Sequence, residues 1–213
     1  MTDIKNSKIF IVDDDAAFSK SMARLIKSTG YDVEVFSCAK EFLEREPYKG
    51  ISCLLLDVRM PGLTGPELHQ ELNNRNISMP IIFLTAHGDI PTGVKAMKDG
   101  AVDFLLKPVE EKILFDAIDK ALNKDAQLKI QKKEMEIISR RFAKLTPREM
   151  EVFRWVITGM LNKQIALSLG TTERTIKAHR SQVRQKLEVE SVAELVRLAE
   201  KAGISPAKDK LGF

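Results

Sequence analysis

The chain has 213 residues, of which 44% are hydrophobic and 30% are charged, a composition typical of folded globular proteins and unlike disordered or fibrous chains. No apolar run approaches the roughly 18 residues of a membrane span, and the polar start MTDIKNSK lacks a signal-peptide pattern, so we expect a cytoplasmic protein without a membrane partner. Residues 1–122 carry 15 Lys and Arg against 19 Asp and Glu, whereas residues 123–213 carry 19 against 11. This asymmetry predicts two modules, the second of which faces a polyanion.

Short apolar runs alternate with amphipathic segments in the first half of the chain. Helical spacing and helix-bounding residues between the runs predict five helices, the first through Phe18, Met22 and Ile26 and the fifth over 110–123. Five strands that alternate with five helices predict an α/β fold with a doubly wound, five-stranded parallel sheet. The predicted strands are IFIV (9–12), VEVF (33–36), CLLL (53–56), IIFL (81–84) and VDFLL (102–106).

The second half of the chain is predicted to be helical. Residues 124–144 contain no Pro or Gly and are dense in charge, which indicates a helical linker that continues the fifth helix. Thr146-Pro147-Arg148-Glu149 is typical of a helix start, because it combines a Thr cap, Pro at the first position and Glu three residues after the cap. Four short helices then form a small all-α domain. The predicted boundaries are 1–123, 124–144 for the linker, 145–204, and a tail of 205–213.

Polar residues stand where the predicted strands of the first half end. Asp13–Asp15 follow the first strand and Asp57 closes the third, and in a sheet ordered 2-1-3-4-5 these strands are neighbours, so their acids converge. Carboxylates so close raise one another's proton affinity unless a hard cation such as Mg²⁺ neutralises them. Within this run, Asp15 is better explained as a helix N-cap than as a metal ligand. Thr85 ends the fourth strand and Lys107 follows the fifth.

This set of strand-end residues resembles the receiver domain of two-component response regulators, a CheY-like or flavodoxin-like fold, over residues 7–123. The resemblance implies that Asp57 accepts a phosphoryl group from a phosphohistidine of a sensor histidine kinase. It implies Mg²⁺ or Mn²⁺ held by Asp13, Asp14, Asp57 and the backbone carbonyl of Arg59, with Lys107 binding phosphoryl oxygens and Thr85 and Phe104 forming the switch. It also implies a cis bond before Pro108, tuning of hydrolysis by Arg59 and His87, and pairing of two receivers through the fourth helix and fifth strand.

The third helix of the second half combines an apolar stripe (Ile176, Val183, Leu187) with basic residues on its other faces. A short helix, a turn containing Gly170 and a basic amphipathic helix indicate a helix-turn-helix, whose second helix enters the DNA major groove. The segment NKQIALSLGTTERTIKAHRSQVRQKL resembles the LuxR-type helix-turn-helix. Together with GDIPTGVKAMKDGAVDFLLKPV it makes residues 7–203 resemble the FixJ/TodT/StyR branch of the NarL family.

This second resemblance assigns DNA contacts along the basic helix. Base edges are expected at Lys177, Ala178 and Ser181, and phosphates at Arg174, Thr175, His179, Arg180 and Arg184. His179 is equally well explained as a packed core residue. In this family the last helix pairs across a two-fold axis, so a homodimer on inverted half-sites is expected.

The two resemblances together imply a phosphorylation-activated transcriptional regulator rather than an enzyme. Its expected partners are a sensor histidine kinase, promoter DNA and a second copy of itself, with RNA polymerase as a further candidate. A phosphorylation-independent DNA-binding regulator stays open as an alternative. An aspartyl-phosphate phosphatase or phosphotransferase is another, but it calls for an acid two residues after the nucleophile, where this chain has Arg59. An interaction module that binds no DNA conflicts with the +8 charge of the second half.

Overall fold

The structure is a computed structural model that describes residues 7–86 and 90–207. The chain divides into two compact units, an N-terminal unit of Met1–Lys129 and a C-terminal unit of Ile130–Phe213. The division falls inside one long helix, which contributes its first part to the N-terminal unit and its last part to the C-terminal unit.

In the described residues, the N-terminal unit is a five-stranded parallel sheet with helices on both faces. Its strand order is β2-β1-β3-β4-β5, which confirms the predicted α/β, doubly wound, CheY-like fold. The strands are β1 (Lys8–Val12), β2 (Asp32–Phe36), β3 (Ser52–Asp57), β4 (Ile81–Thr85) and β5 (Asp103–Leu106). The helices are α1 (Ala16–Ser28), α2 (Ala39–Glu44), α3 (Gly65–Asn74), α4 (Ile90–Lys98) and α5 (Glu111–Phe142).

Successive residues of the central strands are buried on opposite faces of the sheet. On β1, Ile9 and Ile11 pack with residues of α1 and α5, whereas Phe10 and Val12 pack with residues of α2 and α3. Because helices cover both faces, β3 is buried along its whole length and shows no polar alternation. The apolar runs of the sequence are therefore a direct consequence of the layered architecture.

The register of the sheet brings several strand ends to one edge. Asp57, the last residue of β3, pairs with Leu84 of β4, and Thr85, the last residue of β4, pairs with Leu106 of β5. Asp13 follows β1, which lies beside β3. The side chains predicted to carry the chemistry therefore lie at the carboxyl ends of adjacent strands.

Two local features that follow β1 and β5 agree with the expectations from the sequence. One carboxylate oxygen of Asp15 accepts hydrogen bonds from the backbone N–H groups of Ala17 (2.9 Å) and Phe18 (3.0 Å), so Asp15 is the N-cap of α1, as predicted. The peptide bond between Lys107 and Pro108 is cis, as the family resemblance implied.

The fifth helix extends well beyond the sheet. It spans 32 residues and includes nearly all of the segment predicted to be a helical linker. Neither α5 nor any other described helix has the length and apolar composition needed to cross a membrane.

The described part of the C-terminal unit consists of the end of α5 and four shorter helices. They are α6 (Pro147–Val156), α7 (Asn162–Ser168), α8 (Glu173–Leu187) and α9 (Val192–Ala202). Ile138 and Phe142 of α5 are buried in the same core as Phe153 of α6 and Ile176 and Val183 of α8. The predicted small all-α domain and the apolar stripe of α8 are confirmed.

Candidate functional site

Three charged side chains meet at the carboxyl edge of the sheet. The Lys107 ammonium lies 2.6 Å from an oxygen of Asp13 and 2.6 Å from an oxygen of Asp57. The Asp13 and Asp57 side chains are 0% and 7% exposed, and that of Lys107 is 14% exposed, so all three charges are largely withdrawn from water. One cation shared by two buried carboxylates leaves a net negative charge at this edge.

Backbone N–H groups hold the other oxygens of the two carboxylates. Asp57 Oδ2 accepts a hydrogen bond of 2.7 Å from the Arg59 backbone N–H, and Asp13 Oδ1 accepts one of 3.0 Å from the Asp15 backbone N–H. Each carboxylate is thus fixed by a main-chain donor on one side and by Lys107 on the other. This arrangement fixes the orientation of both carboxylates.

Burial and pairing act in opposite directions on this charged cluster. Burial raises the pKa of Asp13 above its ordinary value, and the hydrogen bond from Lys107 only partly opposes this rise. For Lys107, burial alone would lower the pKa, but hydrogen bonds to Asp13 and Asp57 outweigh it, and the pKa of Lys107 is raised. The lysine is therefore a permanent cation at neutral pH.

The two residues predicted to form a switch lie on adjacent strands. Thr85 is buried at the end of β4, next to Asp57 at the end of β3. Phe104 on β5 is half-buried, and its ring centroid lies 6.5 Å from that of Phe83. A Cβ added at Gly93 of α4 would lie 3.3 Å from ring atoms of Phe104, so this ring packs directly against the helix backbone.

A close backbone approach behind Asp57 was not anticipated from the sequence. A Cβ at Gly65, the first residue of α3, would lie 2.3 Å from the carbonyl oxygen of Asp57. The N–H of Gly65 donates a 3.1 Å hydrogen bond to the carbonyl of Val58. Glycine is needed at this position because α3 begins directly against the backbone of the predicted acceptor at the end of β3.

The remaining residues predicted for this site are more open to solvent. Asp14 and Arg59 are exposed, and His87 lies outside the described residues. No three His, Cys, Asp or Glu side chains form a metal-binding group in residues 7–86 and 90–207, and Lys107 stands between Asp13 and Asp57. The donor set nevertheless fits a hard cation. Two buried carboxylates share only one positive charge, so a negative charge is left at this edge, and oxygen is the ligand atom that Mg²⁺ and Mn²⁺ prefer.

The basic helix α8 presents a polar face beside its buried stripe. Ile176, Val183 and Leu187 are fully buried. The residues predicted to contact bases are all exposed, namely Lys177, Ala178 and Ser181. The helix can therefore enter a groove without disturbing its own core.

The predicted phosphate contacts fall into two groups. Arg174 is exposed, and we find no internal hydrogen bond or ion pair for it among the described residues. The Arg184 guanidinium donates to the carbonyl of Glu190 (2.9 Å), and the Thr175 hydroxyl lies 2.8 Å from that of Thr172, the N-cap of α8. Arg180 and His179 are half-buried, and Arg180 donates a hydrogen bond to the side chain of Asn162 (2.8 Å).

An exposed cation near α8, Lys163, is absent from the DNA contacts predicted from the sequence. Lys163 is exposed near the start of α7, and it lines a cleft of about 590 Å³ together with Lys177 and Arg184 of α8. Its neighbour Leu161 is also strongly exposed, with 70% of its surface accessible. The first helix of a helix-turn-helix crosses the DNA backbone, and this rule makes Lys163 a candidate for a phosphate contact.

Comparison with known proteins finds a different family in each half of the chain. The sequence pattern of the response regulator receiver domain matches residues 9–119, and that of the bacterial regulatory proteins of the luxR family matches residues 143–199. The chain belongs to the response regulators with a LuxR-type DNA-binding domain. This response regulator thus joins a receiver to a transcription-regulating DNA-binding domain, and a histidine kinase and DNA are the partners that these two domains imply.

Relatives and solved structures cover nearly the whole response regulator. Nodulation protein W of Bradyrhizobium diazoefficiens is 43% identical over 197 residues, which are 92% of this chain and 87% of that protein. Transcriptional regulatory protein FixJ of Azorhizobium caulinodans is 39% identical over 201 residues, which are 94% and 95% of the two chains. The solved structure of response regulator StyR is 44% identical, has a TM-score of 0.82, and covers 92% of this chain and 99% of that one.

Proposed function

We propose that Asp57 is the phospho-acceptor of this response regulator and that its phosphorylation promotes dimerisation and promoter binding. The observation that carries the proposal is the shared ammonium of Lys107, 2.6 Å from oxygens of both Asp57 and Asp13. A lysine fixed beside a buried carboxylate is well placed to bind the oxygens of a phosphoryl group added to that carboxylate.

The proposed reaction is a phosphoryl transfer between two proteins. An oxygen of Asp57 attacks the phosphorus of a kinase phosphohistidine, a P–O bond forms, the P–N bond breaks, and the imidazole leaves. Lys107 stabilises the negative charge on the phosphoryl oxygens, while the Arg59 N–H keeps the Asp57 carboxylate oriented. Water later attacks the acyl phosphate and releases inorganic phosphate, which restores Asp57.

We propose Mg²⁺ or Mn²⁺ as the cofactor of this step. Asp13, Asp14, Asp57 and the carbonyl of Arg59 are the oxygen donors that would hold it. When bound, the ion would neutralise charge on the transferred phosphoryl group and position it. The chain's own residues supply the nucleophile and the lysine.

The response to phosphorylation is proposed to pass through Thr85 and Phe104. A bond from the Thr85 hydroxyl to the new phosphoryl group would draw the threonine inward, and Phe104 would turn to fill the space. Both residues adjoin the surface of α4 and β5, where Val94, Met97 and Leu106 are 49%, 45% and 56% exposed. This apolar surface suits pairing with a second copy across a two-fold axis.

The C-terminal unit is proposed to read promoter DNA through α8. Lys177, Ala178 and Ser181 would face base edges, and Arg174, Thr175, His179 and Arg184, joined by Lys163, would lie near phosphates. RNA polymerase is a further proposed partner of the DNA-bound dimer. Because promoter DNA and RNA polymerase are cytoplasmic in bacteria, we propose a cytoplasmic location.

The test compares DNA binding and sedimentation of the full chain with Mg²⁺, with and without acetyl phosphate. The probe is a duplex selected from random-sequence DNA by the phosphodonor-treated protein. We expect the phosphodonor to produce dimers and tighter binding, and Asp57→Asn to abolish both effects, whereas Asp116→Asn on the exposed face of α5 should retain them. Equal mass and equal binding in every condition would instead support a regulator that works without phosphorylation.

A further inference from the structure

Arg180 occupies an unusual position for a residue expected to contact phosphate. It lies in the middle of α8, is half-buried, and its Nη1 donates a 2.8 Å hydrogen bond to Oδ1 of Asn162. Asn162 is the first residue of α7. The bond therefore joins the two helices of the helix-turn-helix at a point 18 residues apart in the sequence.

The electrostatic surroundings of Arg180 do not explain why a cation stands there. Among the described residues, no carboxylate forms an ion pair with Arg180, in contrast to Lys186 of the same helix, which pairs with Glu149 (2.7 Å). Burial lowers the pKa of Arg180, and the nearby charge of Arg184 lowers it further. A half-buried cation with a neutral amide as its partner carries a desolvation cost. Arg180 must offset this cost either by holding α8 in position or by contacting DNA.

The shape of the guanidinium favours the first of these roles, in which Arg180 holds α8 in position. It is planar and its donors point in fixed directions, so a hydrogen bond from it constrains orientation more than one from a flexible ammonium. Arg174 and Lys177 lack such an internal bond in the described part of the chain and are exposed, so their side chains are free to follow the DNA. Arg180 instead ties its helix to α7.

We propose that Arg180 is a positioning residue that fixes α8 against α7 through Asn162 and so sets sequence discrimination, rather than one more phosphate contact. This inference rests on the proposed reading of DNA by α8. Discrimination between bases depends on placing side chains at base edges to within hydrogen-bond precision, so a loosened α8 loses specific contacts first. Contacts to phosphates tolerate such loosening, because they are distributed along both strands and carry no sequence information.

The experiment measures affinity of the full chain, with Mg²⁺ and acetyl phosphate, for a duplex selected from random sequence and for its scrambled counterpart over a range of salt. We expect Arg180→Met to weaken binding to the selected duplex about tenfold and to leave the scrambled duplex within about twofold. The slope of log affinity against log salt should stay unchanged, because no phosphate contact is lost.

Three further variants separate positioning from direct contact. Asn162→Ala should reproduce the loss of affinity for the selected duplex seen in Arg180→Met. The double variant should lose no more affinity than the weaker-binding single variant, because each substitution removes the same hydrogen bond. Arg180→Lys keeps the charge but not the planar fork, so it should retain the salt slope and fail to restore discrimination. The matched control Arg174→Met should weaken both duplexes equally and reduce the magnitude of the slope by about 0.9.

Two results would overturn the inference. An equal loss on both duplexes with a shallower salt slope in Arg180→Met, rescued by Arg180→Lys, would make Arg180 a phosphate contact. Additive losses in the double variant would show that Asn162 is not its partner. Failure of the wild-type chain to prefer the selected duplex would remove the proposed DNA reading itself, and that outcome is recognised before any variant is measured.

Discussion

Both carboxylate oxygens of Glu149 accept hydrogen bonds from the ammonium of Lys186, at 2.9 and 2.7 Å. Glu149 is the third residue of α6, and one of its oxygens also accepts the backbone N–H of Thr146 (2.7 Å). The same carboxylate therefore completes the capping box of α6 and ties that helix to α8. A local helix-start signal is here also a tertiary contact between α6 and α8.

Replacing Glu149 should destabilise the C-terminal unit in a pH-dependent way. The hydrogen bond from Lys186, followed by that from Thr146, lowers the pKa of Glu149 below its usual 4.5. The stabilisation is therefore present above pH 4.5 and is lost as pH falls through the lowered pKa. We expect Glu149→Gln to cost about 1–2 kcal/mol at pH 7, measured by urea unfolding.

The difference between wild type and Glu149→Gln should shrink as the pH is taken well below 4.5. Glu151→Gln is the matched control, because Glu151 lies on the same helix, is exposed, and pairs only with Arg148. Its effect should stay within about 0.5 kcal/mol. A constant difference across the pH range would contradict the role assigned to the Lys186 contact.

Removing Lys107 should expose the repulsion between Asp13 and Asp57. Lys107→Met leaves two buried carboxylates without their shared cation, and we expect a loss of about 3 kcal/mol at pH 7. The folded variant should hold a proton more tightly than the unfolded chain, so the loss is greatest at neutral pH and shrinks as the pH falls. Lys112→Met, on the exposed surface of α5, is the control.

Chemical denaturation of the Lys107 variant between pH 7 and pH 4 provides the measurement. A loss that grows on acidification would show that the two carboxylates are not the groups responsible. Added Mg²⁺ should restore more stability to Lys107→Met than to wild type, because a bound ion would supply positive charge to two carboxylates that have lost their shared cation.

The contact between Gly93 and Phe104 should influence the switch. A Cβ at Gly93 would lie 3.3 Å from ring atoms of Phe104, so Gly93→Ala disfavours the ring position seen in this structure. We expect dimerisation to require several-fold less acetyl phosphate in Gly93→Ala, measured by sedimentation. The effect should vanish in a Phe104→Leu background, whereas any gain in helix stability from alanine should persist there.

Asp125 should be important for the attachment of α5 to the sheet. Its side chain is 1% exposed and accepts hydrogen bonds from the Ser52 backbone N–H (2.8 Å) and from Lys129, which also donates to the carbonyl of Gly50. Asp125→Ala would leave the Ser52 N–H buried without a partner, and we expect a cost of about 2 kcal/mol.

Amide hydrogen exchange at Ser52 offers a direct measurement for Asp125→Ala. Its protection should fall markedly, while Asp116→Ala on the exposed face of the same helix should leave it unchanged. Undiminished protection at Ser52 would indicate that this hydrogen bond contributes little to holding α5 in place.

The sequence by itself determined the elements and the side chains at their ends. Short apolar runs, strand-end acids and capping residues are local features of the chain, so Asp15, Thr146 and the strand order were accessible from local pattern and family resemblance. The convergence of Asp13, Asp57 and Lys107 also followed, because the carboxyl ends of parallel strands share one edge.

Only the tertiary structure decided which partners these side chains find. Asp125 belongs to the charge-dense segment predicted to be a helical linker, yet it is buried against the start of β3, 73 residues away. Arg180, predicted to contact phosphate, also donates a hydrogen bond to Asn162, and Glu149, predicted to complete a helix cap, also binds Lys186. Such pairings depend on how helices pack in three dimensions, and no spacing along the chain encodes them.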